Sequence, residues 1–212
     1  GFNAVQQQKL TASDGASGDE FGRAVSIYKD YALIAASIDD SNKGSVYIFK
    51  YNGSTWNQQQ KLTASDGSSN DHFGDAVSLF EDYALIGAHQ DDDPSNSGSA
   101  YIFNRIGSTW TQQAKLTALD GASNDFFGIT VSLYKDYALI GALQDNSNKG
   151  AAYIFKRTGS TWTQLQKLTA SDGGSNDYFG ESVSLFKDYA LISAYYDNSQ
   201  KGSAYIFKRN GS

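Results

Sequence analysis

The chain has 212 residues, of which 40% are hydrophobic and 14% are aromatic, a composition that excludes a disordered protein and provides for one sizeable core. Its formal net charge is −6 and it has no basic stripe that could neutralise phosphates, so nucleic acid is not expected as a partner. It contains no cysteine and no apolar run of about 18 residues, which excludes disulfides, thiolate metal sites and insertion of a helix into a membrane.

The first twelve residues are predicted to form one strand. Their sequence at 2–12, "FNAVQQQKLTA", returns as "TWNQQQKLTA" at 55–64, as "TWTQQAKLTA" at 109–118 and as "TWTQLQKLTA" at 161–170. Each of the three later copies follows a Gly-Ser turn and closes a longer repeat. The first copy therefore has the sequence of the last strand in a repeat.

Four repeats follow along the chain. The Phe-Gly pairs that mark them begin at residues 21, 73, 127 and 179, and this period is typical of propeller blades. Each repeat contains versions of "FGxxVSL", "KDYALIGA", "GSAYIFKR" and "STWTQQQKLTA", which are rich in β-branched and aromatic residues and are separated by Gly, Asn, Asp and Ser. We predict four strands per repeat within a single domain over 1–212. The predicted blades are approximately 13–64, 65–118, 119–170, and 171–212 together with 1–12.

The second strand of each repeat indicates how the sheets pack. Residues 137–142, "YALIGA", are apolar without alternation, which predicts cover on both faces of the strand. Small residues recur where neighbouring sheets would approach closely, and about two residues separate the first two strands, as a tight hairpin demands. No segment carries an apolar stripe of helical period longer than a turn or two. The prediction is an all-β protein, a β-propeller of four-stranded antiparallel blades.

Closure of the propeller is predicted from the two ends of the sequence. The fourth repeat stops with "YIFKRNGS" at 205–212, where its fourth strand would begin, and residues 3–12 carry such a strand. Pairing of this N-terminal strand with the last three strands would close the ring and remove a free sheet edge. A four-bladed ring from one chain, an eight-bladed dimeric ring and a slice of a larger propeller remain open, and an arbitrary cut in the repeat would leave the same ends.

Versions of the pattern "FG…VS…DYALIGA…G.AYIF" occur four times, with "LIAA" in the first repeat and "LISA" in the fourth, and in them the chain resembles the FG-GAP repeats of integrin-type β-propellers over its whole length. The resemblance implies an extracellular or cell-surface protein that binds protein or glycan ligands. Some relatives carry Ca²⁺ in a D-x-D-x-D-G loop between the first two strands. The stretch "SLYKDYAL" at 132–139 has no room for that loop, so this calcium site is not carried over.

Charge is predicted to be unequal on the two rims of the propeller. Up-and-down strand order places the loops after the fourth and second strands on one rim, which holds sixteen carboxylates against three lysines. The opposite rim holds nine basic residues against five acidic ones. This polarity predicts head-to-tail stacking of molecules as one form of homo-oligomer.

Carboxylates with the spacing D-G-x-S-x-D recur in the loop that opens each repeat. Oxygen-rich loops of this kind suit Ca²⁺, which takes six to eight oxygen ligands. The candidate metal ligands are Asp14, Asp19, Asp66, Asp71, Asp120, Asp125, Asp172 and Asp177. The alternative is that these are turns that need Asp and Gly for their backbone conformation, without a metal. No other cofactor is expected.

A tryptophan recurs on the predicted fourth strand of the first three repeats. The three residues are Trp56, Trp110 and Trp162. An exposed aromatic ring on this outermost strand could stack on a sugar, which makes the three residues candidate ligand-binding positions. The alternative, which we favour, is that each fills the gap between neighbouring blades, where burial of a large apolar side chain is worth about 1.5–3 kcal/mol or more.

Catalysis is not predicted. The only two histidines, His72 and His89, both lie in the second repeat and are interpreted as surface variations, and no nucleophile-elbow, zinc-protease or phosphate-binding motif occurs. The predicted function is a non-catalytic extracellular module for binding or adhesion, with a protein or glycan ligand. The alternative is a structural subunit that assembles head-to-tail through its oppositely charged faces.

Overall fold

The computed structural model describes residues 1, 3–91 and 96–210, and it confirms the all-β class. In the described part of the chain, four antiparallel sheets follow one another in sequence order. The first contains β1 (Val25–Tyr28), β2 (Tyr31–Ala36), β3 (Ser45–Tyr51) and β4 (Trp56–Leu62). The second contains β5 (Ala76–Phe80), β6 (Tyr83–Ala88), β7 (Ser99–Ile106) and β8 (Thr109–Leu116). The third contains β9 (Phe127–Tyr134), β10 (Tyr137–Ala142), β11 (Ala151–Thr158) and β12 (Thr161–Leu168). The fourth contains β13 (Phe179–Phe186), β14 (Tyr189–Ala194) and β15 (Ser203–Lys208).

Within each sheet the strands are joined in sequence order. The predicted two-residue hairpin between the first two strands is confirmed, because Tyr28 pairs with Tyr31 across it and the same pairing recurs in the other sheets. The first hairpin residue, Lys29, has a φ of 51°, a left-handed conformation that lets the strand reverse within two residues. Each sheet is therefore a simple meander.

Short helices in three loops were not predicted from the sequence. They are α1 (Asp39–Asn42), α2 (Asp145–Asn148) and α3 (Asp197–Gln200), each after the second strand of its sheet. Asp40 and Ser41 have φ values of 50° and 62°, so the backbone of these turns is largely left-handed, as Asp and Asn tolerate better than most residues. Among the described residues, no helix is long and apolar enough to span a membrane.

The second strands of the two inner sheets, β6 and β10, are covered on both faces, as predicted. In β10, Ala138 and Ile140 pack in the apolar cluster shared with the second sheet, whereas Leu139 packs in the cluster shared with the fourth sheet. Side chains alternate across a strand, so one apolar strand contributes to two interfaces. The four sheets therefore pack face to face, like consecutive blades of a propeller.

Close contact between the sheets explains the small residues of the repeat. Gly87 lies in the second "LIGA" and Gly128 in the third "FG". A Cβ atom on Gly87 would overlap the carbonyl oxygen of Gly128, so the two backbones meet with no space for a side chain. Gly141 stands in the same relation to Gly180 at the next interface. The two glycines of the repeat motif thus fix the spacing between the second, third and fourth sheets, whereas Ala35 faces Gly74 between the first and second.

The predicted pairing of the N-terminal strand with the last three strands is not formed in this structure. The last sheet has three strands, and residues 3–12 are not in a strand but lie against the first sheet, where Leu10 and Ala12 join its apolar cluster. The outer faces of the first and last sheets stay open, with Ile27 66% exposed and Ile206 72% exposed. No neighbouring sheet among the described residues covers either of these two faces, which are the ends of the row of four sheets.

Candidate functional site: aspartate–lysine clusters on one rim

Each of the first three sheets carries two aspartates, one lysine and one tyrosine in contact on the same rim, a set that we call the rim cluster. In the first sheet Lys61 Nζ lies 2.6 Å from Asp14 Oδ2 and 2.7 Å from Asp39 Oδ2. The hydroxyl of Tyr47 lies 3.0 Å from Asp14 Oδ1 and 3.3 Å from Asp39 Oδ2, so it can donate to either carboxylate. Because Tyr47 and Lys61 are register partners on β3 and β4, the sheet itself brings them together.

The second and third sheets repeat this cluster. In the second, Lys115 Nζ lies 2.6 Å from Asp66 Oδ2 and 2.8 Å from Asp91 Oδ2, and the hydroxyl of Tyr101 lies 2.6 Å from Asp91 Oδ2. The third cluster has the same geometry and consists of Asp120, Asp145, Tyr153 and Lys167. In the second and third clusters one aspartate follows a fourth strand and the other follows a second strand, which confirms that these loops share a rim. In the first cluster, Asp14 follows the N-terminal segment instead.

In the second cluster, the contacts favour the charged forms of Lys115 and Asp66. Burial acts to lower the pKa of Lys115, but its hydrogen bonds to Asp66 and Asp91 outweigh this effect and raise the pKa. Burial also acts to raise the pKa of Asp66, but the hydrogen bond from Lys115 lowers it overall. In the first cluster, burial raises the pKa of Tyr47 to about 12, so its hydroxyl stays protonated and remains a donor.

These lysines reduce the charge difference predicted between the two rims. A count of loop residues omits them because they lie within the fourth strands, yet their ammonium groups reach the acidic rim. Each complete cluster sets one positive charge between two negative ones. On the opposite rim, three arginine–aspartate pairs form as well, namely Arg105–Asp82, Arg157–Asp136 and Arg209–Asp188. The basis for stacking through oppositely charged faces is therefore weaker than the sequence indicates.

The cluster of the fourth sheet is incomplete. The hydroxyl of Tyr205 lies 3.0 Å from Asp172 Oδ1 and 3.3 Å from Asp197 Oδ2, the same two distances as in the first cluster. No lysine within the described residues reaches these carboxylates, because this sheet has no fourth strand there. The corresponding lysine of the repeat is Lys9, which is exposed and forms no ion pair with any described residue.

The second aspartate of each predicted calcium pair has a different role. Its carboxylate accepts a hydrogen bond from the backbone N–H three residues earlier, at 2.5–2.7 Å, and so closes its own turn. These aspartates are Asp19, Asp71, Asp125 and Asp177. The structure thus places the two members of each pair in separate contacts, the first in a rim cluster and the second in a turn. In the described part of the chain, no group of three or more His, Asp or Glu is placed to hold a metal ion.

We expect Ca²⁺, Mg²⁺ and NaCl at equal ionic strength to change the melting temperature equally. The reason is that lysines already neutralise Asp14, Asp66 and Asp120. Asp172 and Asp197 have no lysine partner among the described residues, but two carboxylates are too few for the six to eight oxygen ligands that Ca²⁺ takes. Added salt then acts by screening, over a Debye length of about 8–10 Å. Thermal unfolding in each salt and in EDTA measures the effect. A stabilisation by Ca²⁺ alone, about 2.7 kcal/mol at a hundredfold excess over Kd, would establish the predicted calcium sites, and Asp120→Asn and Asp125→Asn, which change one of the four repeats, should then reduce it.

Trp110 and Trp162 lie between neighbouring sheets, where the packing alternative puts them. Trp110 is 2% exposed and its ring lies edge-on to Tyr31 of the first sheet, with 5.9 Å between the centroids. Trp162 is 8% exposed and packs in the same way on Tyr83 of the second sheet, at 6.2 Å. Trp56 is partly buried and joins the apolar cluster that includes Leu10 of the N-terminal segment. The outer strands of the second and third sheets are thus held to the preceding sheet by their tryptophans.

A cluster around His89 was missed at the level of sequence. His89 is buried, its Nδ1 atom lies 2.6 Å from Asp75 Oδ2, and its ring packs edge-on against Phe126 of the third repeat. Burial lowers the pKa of the neighbouring His72, whose ring centroid is 5.7 Å from that of His89. The interpretation as a surface variation is therefore wrong for His89. The pairing of Asp75 with His89 could not be recognised in the sequence, because the position of Asp75 is not repeated. The other repeats carry Arg23, Ile129 and Glu181 there.

Comparison with known proteins supports the repeat assignment. No curated protein matches the sequence. Among solved structures, hydrazine synthase from Kuenenia stuttgartiensis is similar in fold, with a TM-score of 0.59 and 9% sequence identity. The similarity covers 95% of this chain and 49% of that chain, so the chain spans about half the length of that protein. The FG-GAP repeat matches at residues 4–49, 56–103, 110–155 and 162–207, in each case from an outer-strand segment to the third strand of the following sheet. The chain therefore belongs to the FG-GAP repeat family.

Proposed function

We propose that the chain is a non-catalytic binding module of the propeller type. Its ligand is a protein that presents an apolar sheet face like that of a neighbouring propeller blade. The observation that carries the proposal is the pair of open end faces. Leu191 is 44% exposed on the last sheet, whereas its repeat equivalents Leu33, Leu85 and Leu139 are fully buried against the following sheet. The last sheet thus presents a surface that the same repeat covers with a neighbouring sheet at every inner position.

The opposite end of the row presents the complementary surface. Val25 and Ile27 of β1 are 68% and 66% exposed, whereas Leu79, the equivalent of Ile27, packs against the first sheet. Burial of each such side chain stabilises an interface by roughly 1.5–3 kcal/mol. Exposed apolar faces of this kind mark protein interaction sites more often than ordinary surface.

A protein ligand is favoured over a glycan. Trp110 and Trp162, the candidate sugar-stacking residues, are buried between sheets, so their faces do not meet solvent. The apolar ends also favour assembly through sheet faces over assembly through charged rims. The resemblance to integrin-type repeats supports a location outside the cell or on its surface.

The absence of catalysis is supported by the contacts of the ionisable groups. In the complete rim clusters each lysine is engaged by two carboxylates and a tyrosine, and the same set recurs three times without variation. The cluster around His89 and Asp75 is buried among side chains of neighbouring repeats. The likeness to hydrazine synthase, at 9% identity, concerns the fold alone.

Sedimentation velocity over a range of concentrations tests the proposal. We expect the chain to associate with itself, because its two end faces are complementary, and we expect Ile206→Lys to abolish this association. Ile106→Lys is the matched control, since Ile106 is 76% exposed but lies at the end of β7, away from both end faces. A chain that stays monomeric at every concentration, or that binds glycans on an array as a monomer, would contradict the proposal.

A further inference from the structure

The incomplete rim cluster and the unpaired edge of β15 lie on the same sheet. A fourth strand that carries a lysine would complete both. We propose that residues 3–12 of a second copy pair with β15 as its fourth strand and place Lys9 between Asp172 and Asp197. Reciprocal exchange of these segments would join two chains into one closed ring of eight sheets. This inference rests on the proposed function and names its partner and its binding site.

Residues 3–12 already occupy the position of an outer strand that belongs to a preceding blade. Gln8 donates from Nε2 to the carbonyl oxygen of Trp56 and accepts from its N–H at Oε1, both at 2.8 Å. Gln60 of β4 makes the same two hydrogen bonds with Trp110 of the next sheet, at 2.7 Å and 2.9 Å. The N-terminal segment therefore touches the first sheet as β4 touches the second. What it lacks is the three inner strands of its own blade.

A second set of contacts places the segment in the same way. The N–H of Ser13 donates to Gln58 Oε1 at 2.9 Å, and the N–H of Ser65 donates to Gln112 Oε1 at 2.9 Å. Both are contacts between the end of one outer strand and the next outer strand. Two independent pairs of hydrogen bonds thus fix residues 3–13 in the outer-strand position. The segment is held in place before any partner binds.

The last sheet offers the complementary half of the site. Tyr205 and the two carboxylates around it are arranged as in the complete clusters, and only the lysine is missing. In the three complete clusters, the lysine is the register partner of the tyrosine, as in Tyr47 with Lys61 and Tyr101 with Lys115. The same register pairs Tyr205 with Lys9. One positive charge would then lie between two carboxylates that have no cationic partner among the described residues.

The same register buries apolar surface. It places Leu10 beside Ala204 and Gln8 beside Ile206, as Leu62 lies beside Val46 and Gln60 beside Ile48. The face of the last sheet, with its exposed Ile206, would then stand before the first sheet of the other chain. That first sheet presents Ile27, whose equivalent Leu79 covers this face at the inner interface.

A second copy is the occupant because one chain does not bring its own ends together in this structure. Ile27 and Ile206, at the two ends of the row, are both exposed. Propellers have about four to eight blades. Two chains of four sheets reach the upper end of this range, whereas three chains exceed it. A two-fold ring also satisfies both ends of each chain, since every open face meets its complement.

Cysteine cross-linking distinguishes the competing arrangements, because the natural chain has no cysteine. The inferred register makes Val5 and Lys208 direct partners, as Asn57 and Lys50 are in the first sheet. Cα atoms of such partners are about 4.5–5.5 Å apart, within the range that a disulfide spans. We expect the variant Val5→Cys/Lys208→Cys to form a covalent dimer on mild oxidation, seen by non-reducing electrophoresis and intact mass.

The matched control is Val5→Cys/Lys156→Cys. Lys156 is the repeat equivalent of Lys208, but Thr163 of β12 already pairs with it. We expect no covalent dimer from this variant. An intramolecular disulfide in the Val5→Cys/Lys208→Cys chain, or a cross-link that forms equally well in the control, would overturn the two-chain site.

Charge reversal tests the role of Lys9 in the assembled dimer. We expect Lys9→Glu to raise the dimer dissociation constant roughly tenfold or more, because it would place a third carboxylate beside Asp172 and Asp197. Lys135→Glu is the control, since it makes the same change of charge at an exposed position in the hairpin between β9 and β10, away from both end faces, and is expected to change the constant little. If the wild-type chain dimerises but Lys9→Glu and Lys135→Glu behave alike and no cross-link forms, this inference fails while the proposed function stands. If the wild-type chain does not associate at all, both fail.

Discussion

Replacing Lys115 by methionine is expected to lower the free energy of unfolding by about 3 kcal/mol, since removal of one partner leaves a buried charge without compensation. Asp91 has its carboxylate 2.8 Å from the lysine Nζ and is only 2% exposed, so water cannot replace the lost contact. Methionine keeps most of the apolar length of the side chain, so the loss reports on the charge. Urea unfolding followed by fluorescence measures the change.

The same substitution at Lys9 is the matched control. Lys9 occupies the equivalent position of the repeat but has no ion pair within the described residues, so Lys9→Met should leave the unfolding of the monomer unchanged within about 0.5 kcal/mol. Equal losses from both substitutions would mean that the rim cluster does not account for the effect at Lys115.

The dependence of this effect on pH follows from the direction of the pKa shifts. The pKa of Asp66 is lowered in the folded chain, so its contribution is present above its ordinary pKa of about 3.9 and is lost as the pH falls through the lowered value. The pKa of Lys115 is raised, so its contribution persists up to its ordinary pKa of about 10.4 and is lost as the pH rises through the raised value. The difference in the free energy of unfolding between wild type and Lys115→Met should therefore be greatest between about pH 3.9 and about pH 10.4. It should shrink as the pH falls below the lower limit.

The fold could be predicted because its signals are local and repeated. The "FG" and "LIGA" motifs, the two-residue hairpins and the apolar second strands all follow from short stretches of sequence, and Gly87 with Gly128 shows why the spacing admits no larger residue. The short helices were missed because four residues of Asp, Asn and Ser give no apolar period. Ring closure could not be settled from the repeat, since it depends on the angle between packed sheets, which no single residue sets.

The rim cluster could not be predicted for a related reason. Its members come from separate segments, and Asp14 and Lys61 are 47 residues apart. Proximity in the chain groups Asp14 with Asp19, whereas the sheet brings Asp14 to a strand lysine and leaves Asp19 to close its own turn. A signal was present, since every "YIF" in the first three repeats is followed by a "KL" at the same spacing. Strand pairing converts that spacing into contact between the tyrosine and the lysine.

Replacing Phe127 by alanine is expected to lower the free energy of unfolding by about 3–5 kcal/mol, at least as much as the loss of Lys115. Phe127 is 1% exposed and packs edge-on against Tyr153 and Phe155 of its own sheet, with centroids 5.4 Å and 6.0 Å away. It also lies in the apolar cluster that joins the second and third sheets. Its loss would leave a cavity at an interface where the glycine contacts hold the backbones in place.

Phe21 is the matched control for that truncation, because it makes the same aromatic contacts within its own sheet but has no preceding sheet against it. Its ring centroid lies 5.4 Å from Tyr47 and 6.2 Å from Phe49, but no preceding sheet covers it and it is partly exposed. In a monomeric background carrying Ile206→Lys, Phe21→Ala should cost about 1–2 kcal/mol, the difference from Phe127→Ala being the contribution of the missing sheet. In the wild-type background at concentrations that favour the eight-sheet ring, the last sheet of a second chain would cover Phe21. The cost of Phe21→Ala should then rise toward that of Phe127→Ala, and a cost that stays the same in both backgrounds would show that no sheet binds there.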